Sequence, residues 1–356
     1  MKTLRLIVCL LLLPLTVWYA VGVALRNMLY SLGVKKSTTP AVPTVGIGNL
    51  RVGGTGKTPH TEHLVRLFAD RQTALLSRGY GRQTSGFVLA KAGDGADLLG
   101  DEPAMLARKF PALTVAVCEE RLEGVRRLMQ LPQPPELILL DDVLQHRALR
   151  PAVSLLLTEY GDPYFADHIL PFGNLREFRT GRRRADIVVV TKCPHTLSAE
   201  EQRCFRDRMK LKPSQQLFFS TIDYGQPLPL YPATQAADFP SNCSHILLVT
   251  GIAHPQPLVD HLQRQAAVSH LRFADHHTFS TDDGKRIRKM FDALEASAKA
   301  IVTTEKDAVR LLACDAGRQL EGLPVYYLPI AVRLLDGDLR AAIHAVLAAK
   351  GIVSTL

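Results

Sequence analysis

Residues 45–58 read VGIGNLRVGGTGKT, a run whose residue types suit the binding of a nucleotide's phosphates. In its GGTGKT portion, Gly53, Gly54, Thr55 and Gly56 make a loop that can turn its N–H groups inward. Lys57 brings a point charge for the β- and γ-phosphates, and Thr58 brings a hydroxyl for Mg²⁺. The strict pattern would put glycine at position 51, where this chain has Arg51; a Gly-rich turn with an incidental lysine is the alternative. About eighty residues further on, the apolar run ELILL ends in Asp141 and Asp142. A hydrophobic strand ending in aspartate is where phosphate-loop proteins hold Mg²⁺ or its water shell. Adjacent strand residues face opposite ways, so the two acids would bind a metal alike only if the strand gives way to a loop there.

Other residues have chemistry with more than one reading. GDEP at 100–103 puts Asp101 and Glu102 at a helix start, where acids serve as caps and dipole partners or, in a site, as a base. His146, in LDDVLQHR, is a substrate ligand or a packed histidine. His276 and His277, in FADHHTFS, are adjacent histidines without other ligand types beside them, the usual condition of loop residues. LPFGNLREF at 170–178 carries Arg176 and Glu177 and runs into Arg179, Arg182, Arg183 and Arg184. That run is either a solvated charge cluster or an anion clamp of guanidinium forks, and Arg78 and Arg82 in SRGYGR allow the same two readings. VVVTKCP at 188–194 has Pro194 where a guanine-reading loop ends in aspartate, so ATP rather than GTP is the expected nucleotide.

The elements that would position these residues alternate. Apolar runs at 43–47, 73–77, 86–90, 114–118, 136–140, 153–157 and 186–190 are separated by helical patterns. Continuous apolar runs between amphipathic helices predict a parallel sheet covered on both faces. Residues 222–244 break the rhythm with Pro227, Pro229, Pro232 and Pro240, the composition of a linker or hinge. Runs at 245–251, 271–274, 299–304 and 323–328 then resume it. At the other end, residues 6–25 carry no charge, and as a helix they would extend about 30 Å, the thickness of a bilayer's hydrocarbon core. A cleaved signal peptide is the alternative there, but it would carry an ATP site away from ATP. The expected fold is therefore α/β: a P-loop NTPase-like parallel sheet with helices on both faces, a second smaller α/β domain and an N-terminal hydrophobic helix. The expected boundaries are 1–36 for the membrane-anchoring helix, 37–221 for the P-loop domain, 222–244 for the linker and 245–356 for the smaller domain.

Composition narrows the partners. The 356 residues carry a net charge of +9, which suits anionic partners such as acidic lipid, phosphorylated substrates or nucleic acid. No nucleic-acid-binding motif accompanies that charge, so a nucleic-acid partner is not expected. The six cysteines have no paired spacing, which argues against a disulfide or zinc framework.

Taken together, VGIGNLRVGGTGKTP, LLSRGYGR, GDEPAMLA, LILLDDVLQHR, LPFGNLRE, RRADIVVVTK, FADHHTFS and TTEKDA resemble the tetraacyldisaccharide 4′-kinase family of lipid A biosynthesis, in the family's order. Where the family reads LDDGFQH, Val143 and Leu144 here replace Gly and Phe, leaving both acids and His146 in place. The resemblance implies a kinase that moves the γ-phosphoryl group of ATP, with Mg²⁺, to the 4′-hydroxyl of tetraacyldisaccharide 1-phosphate. It implies Asp101 as catalytic base with His276 as its partner. Lys57 would hold phosphates, and Thr58, Asp141 and Asp142 would hold the metal. Arg78, Glu102, His146, Arg176 and Glu177 would contact the substrate. It also implies work at the inner (cytoplasmic) membrane, with the catalytic domains on the cytoplasmic side and no obligate protein partner. A membrane-tethered P-loop ATPase or nucleotide switch is the competing reading; a kinase needs its lipid acceptor to turn over ATP, and an ATPase does not.

Overall fold

Pro43 and the buried run that follows it start the central strand of a large sheet. The computed structural model describes residues 2–231, 239–275 and 277–352, with residues 2–12 described by their backbone alone. Its strands are β1 (Thr44–Asn49), β2 (Thr73–Ser77), β3 (Val88–Leu89), β4 (Thr114–Val117), β5 (Leu137–Leu140), β6 (Val153–Glu159), β7 (Ile187–Thr191), β8 (Gln216–Tyr224), β9 (Leu228–Pro229), β10 (His245–Thr250), β11 (Ala267–Arg272), β12 (Lys299–Thr304), β13 (Val325–Leu328) and β14 (Ile330–Leu334). The helices are α1 (Lys2–Ser31), α2 (Lys57–Leu67), α3 (Ala96–Leu99), α4 (Asp101–Lys109), α5 (Arg121–Leu128), α6 (Ala199–Met209), α7 (Gln256–Gln263), α8 (Thr281–Asp292), α9 (Glu305–Leu312), α10 (Asp315–Arg318) and α11 (Leu339–Ala349).

Nine strands form the larger sheet in the order β14-β8-β7-β6-β1-β5-β2-β4-β3. All its pairs are parallel except the two at its edges, β14 with β8 and β3 with β4. β1 lies between β5 and β6, with Gly46 opposite Leu140 on one side and Ser154 on the other. Alternate residues of the buried strands feed two apolar layers. Val45, Ile47, Leu75, Leu139 and Val189 meet α2, α4 and α11 on one face. Leu76, Ile138 and Leu140 meet α5 on the other, where Leu156, Val188 and Val190 meet α6. This two-sided burial is why the strands read as unbroken apolar runs.

Five strands form the smaller sheet in the order β11-β10-β12-β13-β9, parallel except for β9. The chain leaves the larger sheet by β8 and comes back to it by β14. Residues 330–334 and 339–349, which the sequence pattern put in the smaller domain, thus lie in the larger sheet and its helix layer. Among the described residues, three ion pairs join the units where α4 meets α9: Asp101 with Arg310, Glu102 with Lys306 and Lys109 with Glu305.

The N-terminal element corrects an expectation. α1 is a helix of 30 residues, but among the described residues no helix is long and apolar enough to cross a membrane. The anchoring hydrophobic helix of the expected fold is therefore withdrawn. The C-terminal half of α1 is instead tied to the protein body by polar contacts. The Tyr19 hydroxyl donates to the Arg176 carbonyl at 2.8 Å, Arg26 donates to the Gln145 carbonyl at 2.8 Å, and the Asn27 amide donates to Glu177 at 3.4 Å.

Candidate active site

β1 ends in Asn49, and the chain then turns through the glycine loop into α2. Gly53 and Gly56 have φ of 101° and 85°, a left-handed backbone open to glycine with little strain. Gly56 caps α2 without a side chain, so the first N–H groups of the helix face the loop unsatisfied by any cap. The loop is braced from below. Thr191 of β7 donates to the Thr55 carbonyl at 2.9 Å, and the Asn49 amide reaches the Thr55 hydroxyl at 2.5 Å. His60 places Nδ1 2.7 Å from the Gly56 carbonyl and Nε2 2.9 Å from the Ser220 hydroxyl. Burial lowers His60 to a pKa of about 4, so it is neutral at pH 7, with Nδ1–H donating to Gly56. Arg51, the departure from the strict loop pattern, is buried and turned away to the carboxylates of Asp162 and Asp167.

The segment carrying Arg176 lies along the start of this loop. Arg176 N–H donates to the Leu50 carbonyl at 2.7 Å, and Val52 N–H donates to the Asn174 carbonyl at 2.8 Å. The Arg176 guanidinium thereby faces Asp142 in a fork, with both N–H···O contacts at 2.8 Å, and also donates to Asn49. Lys57 Nζ lies 3.7 Å from the same carboxylate. Burial acts to raise the pKa of Asp142, but the Arg176 fork and the Lys57 charge outweigh it and hold Asp142 at about 2. Asp141 goes the other way. Burial and then the neighbouring Asp142 charge raise it to about 6, with the Ser77 hydroxyl donating to it at 3.1 Å. The left-handed backbone at Asp142 (φ 48°) ends the strand geometry between the two acids. Val143 and Leu144 follow it into the core, over Gly46 and Gly48 of β1, where no Cβ would fit.

Asp101 and Glu102 open α4; Asp101 is held by Arg310, and Glu102 pairs with Lys306 at 3.0 Å. Glu102 is also close enough to contribute to the raised pKa of Asp141. Arg78 is exposed at the end of β2, and its charge reaches both Arg121 and His146. Half-buried His146 is lowered by burial and then by Arg121, and its Nε2 has no hydrogen-bond partner among the described residues. Glu177 is buried, taking hydrogen bonds from Gln145 at 2.9 Å and Arg184 at 2.6 Å. Thr58 follows Lys57 in the first turn of α2. His276 lies outside the described residues; its neighbour His277 pairs with Asp283 at 2.9 Å.

Lys57, Asp142 and Arg176 thus converge beyond the C-terminal ends of β1 and β5, the side of a parallel sheet where ligands bind. The oxygen donors at hand, two carboxylates and a threonine hydroxyl, fit Mg²⁺, which takes one or two carboxylates and completes its shell with water and phosphate oxygens. Sequence reasoning missed Asn49, His60, Ser77, Arg121 and Arg310. For His60 a signal existed in its place one turn after Lys57; for Arg310 it lay only in its spacing from Asp307, three residues earlier on α9.

Residues 8–348 match the family described as LpxK, tetraacyldisaccharide-1-P 4′-kinase. The tetraacyldisaccharide 4′-kinase of Flavobacterium johnsoniae is 44% identical over 324 residues, covering 90% of this chain and 91% of the relative. That of Phocaeicola vulgatus is 41% identical over 329 residues, covering 91% and 90%. Among solved structures, the crystal structure of LpxK from Aquifex aeolicus in complex with ATP superimposes with a TM-score of 0.71 at 25% identity, covering 95% of this chain and 99% of that one.

Proposed function

From the premise that the chain belongs to the tetraacyldisaccharide-1-P 4′-kinase family, and so phosphorylates the 4′-hydroxyl of tetraacyldisaccharide 1-phosphate with Mg²⁺ and ATP, we propose the division of labour among its residues. The N–H groups of Gly53, Gly54, Thr55 and Gly56, with Lys57, cradle the β- and γ-phosphates. Thr58, Asp141 and Asp142 hold Mg²⁺, which when bound neutralises charge on the phosphate oxygens. Asp101 accepts the proton of the attacking hydroxyl, with His276 as its partner, and the γ-phosphorus–oxygen bond to ADP breaks as the new ester bond forms. Arg176 stabilises charge on the transferring group; Arg78, Glu102, His146 and Glu177 order the lipid's sugars.

The observation that carries this reading is the convergence of Lys57, Arg176 and two carboxylates of opposed pKa at the end of β1 and β5. The test is transfer of labelled γ-phosphate to the lipid in mixed micelles, with Lys57→Ala and Asp101→Ala beside the wild type. Loss of product in both, with ATP binding lost in Lys57→Ala alone, is the expected result. Full product from Asp101→Ala would remove its role as base.

The family's lipid substrate supports a peripheral placement at a membrane. We place the protein at the inner membrane, with its nucleotide site on the cytoplasmic side where ATP is available.

A further inference from the structure

Beside Gly46 and Gly48 of β1 and the Val143 and Leu144 that cover them, a cavity of about 650 Å³ opens between the end of α1, the 143–151 loop and the 183–186 segment. Six cationic side chains line it (Arg147, Arg150, Arg183, Arg184, Lys212 and Lys350) with one carboxylate, Asp186. Asp186 is already engaged by Lys350 at 2.7 Å and by the Ser154 N–H at 2.9 Å. Arg184 is engaged by Glu177 at 2.6 Å. Among the described residues, no carboxylate lies within ion-pair reach of Arg147, Arg150, Arg183 or Lys212. Arg147 turns instead to the Asn27 side-chain oxygen and the Tyr30 ring, and Lys212 to the Arg183 carbonyl. Uncompensated like charges around one concavity repel each other and focus a positive potential into it. Folding alone gives no reason to gather them; an anion does.

The rim indicates what kind of anion. Tyr30 and Ser31, the last residues of α1, line the cavity, and just beyond them Leu32 and Val34 are 70% and 69% exposed. A basic hollow beside unpartnered apolar side chains matches an amphiphile whose phosphate enters the hollow while its chains stay outside. We propose that this cavity binds the phosphate of a lipid headgroup, at a site separate from the phosphate loop. The headgroup belongs either to an anionic bystander lipid or to the substrate through its own 1-phosphate. The vesicle test needs no turnover and stands apart from the kinase reading; only the 1-phosphate source rests on that reading.

That test is co-sedimentation of the full chain with phosphatidylcholine vesicles, with and without phosphatidylglycerol. The wild type is compared with Arg150→Glu/Arg183→Glu/Lys212→Glu and with a control of equal charge change on the smaller unit, Arg264→Glu/Arg272→Glu/Lys289→Glu. The expected result is a loss of phosphatidylglycerol-dependent binding on the order of tenfold or more in the first variant, and a clearly smaller loss in the control. A second arm measures the KM for the lipid substrate in neutral micelles. If the first variant raises that KM while vesicle binding is kept, the phosphate recognised is the substrate's own. Equal losses in both variants, or no change in either arm, would overturn the proposal. Retained ATP binding and an unchanged melting temperature show that the variants fold.

Discussion

Arg310 and Asp101 lie 209 residues apart and in different units, yet two nitrogens of the Arg310 guanidinium contact one oxygen of Asp101, at 2.7 and 3.1 Å. The third nitrogen of the same group donates to Asp307 at 3.0 Å and to the Gly251 carbonyl at 3.2 Å. Asp307 in turn is fully buried, accepting from the Gly251 N–H and the Thr304 hydroxyl. The proposed base is therefore fixed from across the junction by a buried cation that is itself held on the smaller sheet.

Replacing that cation tests the arrangement. Arg310→Ala leaves the Asp307 charge buried without its partner, a cost of about 3–5 kcal/mol, so the melting temperature falls. Its turnover falls as well, while the dissociation constant for ATP stays near that of the wild type. Arg310→Lys restores charge but not the fork, and recovers more stability than turnover. Equal turnover in all three proteins, measured at saturating ATP, would disconnect Arg310 from the site.

The fork between Arg176 and Asp142 has a signature in pH. Asp142 is held at about 2, against the pull of burial, first by Arg176 and then by Lys57. In Arg176→Ala the carboxyl moves up towards its ordinary value, a shift read by carboxyl ¹³C NMR titration of the Mg²⁺-free protein, because Asp141 at about 6 governs the acid side of activity. A drop in kcat/KM of about a hundredfold at neutral pH should accompany it, the size expected on losing one preorganised donor. An Asp142 titration unchanged from the wild type would show that Asp142 does not depend on Arg176.

Gly48 has Leu144 directly above it, with no space for a methyl group. Gly48→Ala should cost about 1–3 kcal/mol through overpacking. Leu144→Gly in the same chain, which removes the Cβ that would lie 2.6 Å from the added methyl, should return part of that loss, a coupling readable in a double-mutant cycle. Additive losses in thermal unfolding would mean that the 143–151 loop can move away freely.

His60 is neutral in the folded chain, with a pKa of about 4 where an unfolded histidine has about 6.5. A depressed histidine makes the unfolded state take up the proton first. Stability is therefore lost as pH falls from 6.5 towards 4, by roughly 3 kcal/mol over that range. His60→Asn keeps a donor for the Gly56 carbonyl and cannot titrate, so its stability should fall less steeply. Denaturant melts at pH 7 and pH 5 decide it; parallel losses would place the acid sensitivity elsewhere.

Much of the larger sheet was legible because it is local. The glycine loop, the run ending in Asp141 and Asp142, and the buried strands each carry their pattern within a few residues. What was illegible is what depends on distant partners. Nothing near Asp101 announces Arg310, and Glu177 reads as a surface acid until Gln145 and Arg184 fold over it. β14 follows β13 after a single residue, so the pattern joins the two, although they belong to different sheets. For α1 the sequence shows an uncharged run, but nothing in that run shows Tyr19, Arg26 and Asn27 bonding to the protein body.

The double crossing between the sheets bears on how the protein is made. β14 closes one edge of the larger sheet, and α11 supplies Leu339, Ala342, Ile343, Val346 and Leu347 to its core. During synthesis the smaller unit emerges from the ribosome before those pieces do. The nascent nucleotide-binding half must wait with a strand edge open and an apolar face uncovered, exposed to misassociation, until residue 349 is free. Chaperone dependence should therefore concentrate in that interval, and a nonsense codon anywhere in the smaller unit should cost the cell the larger one as well.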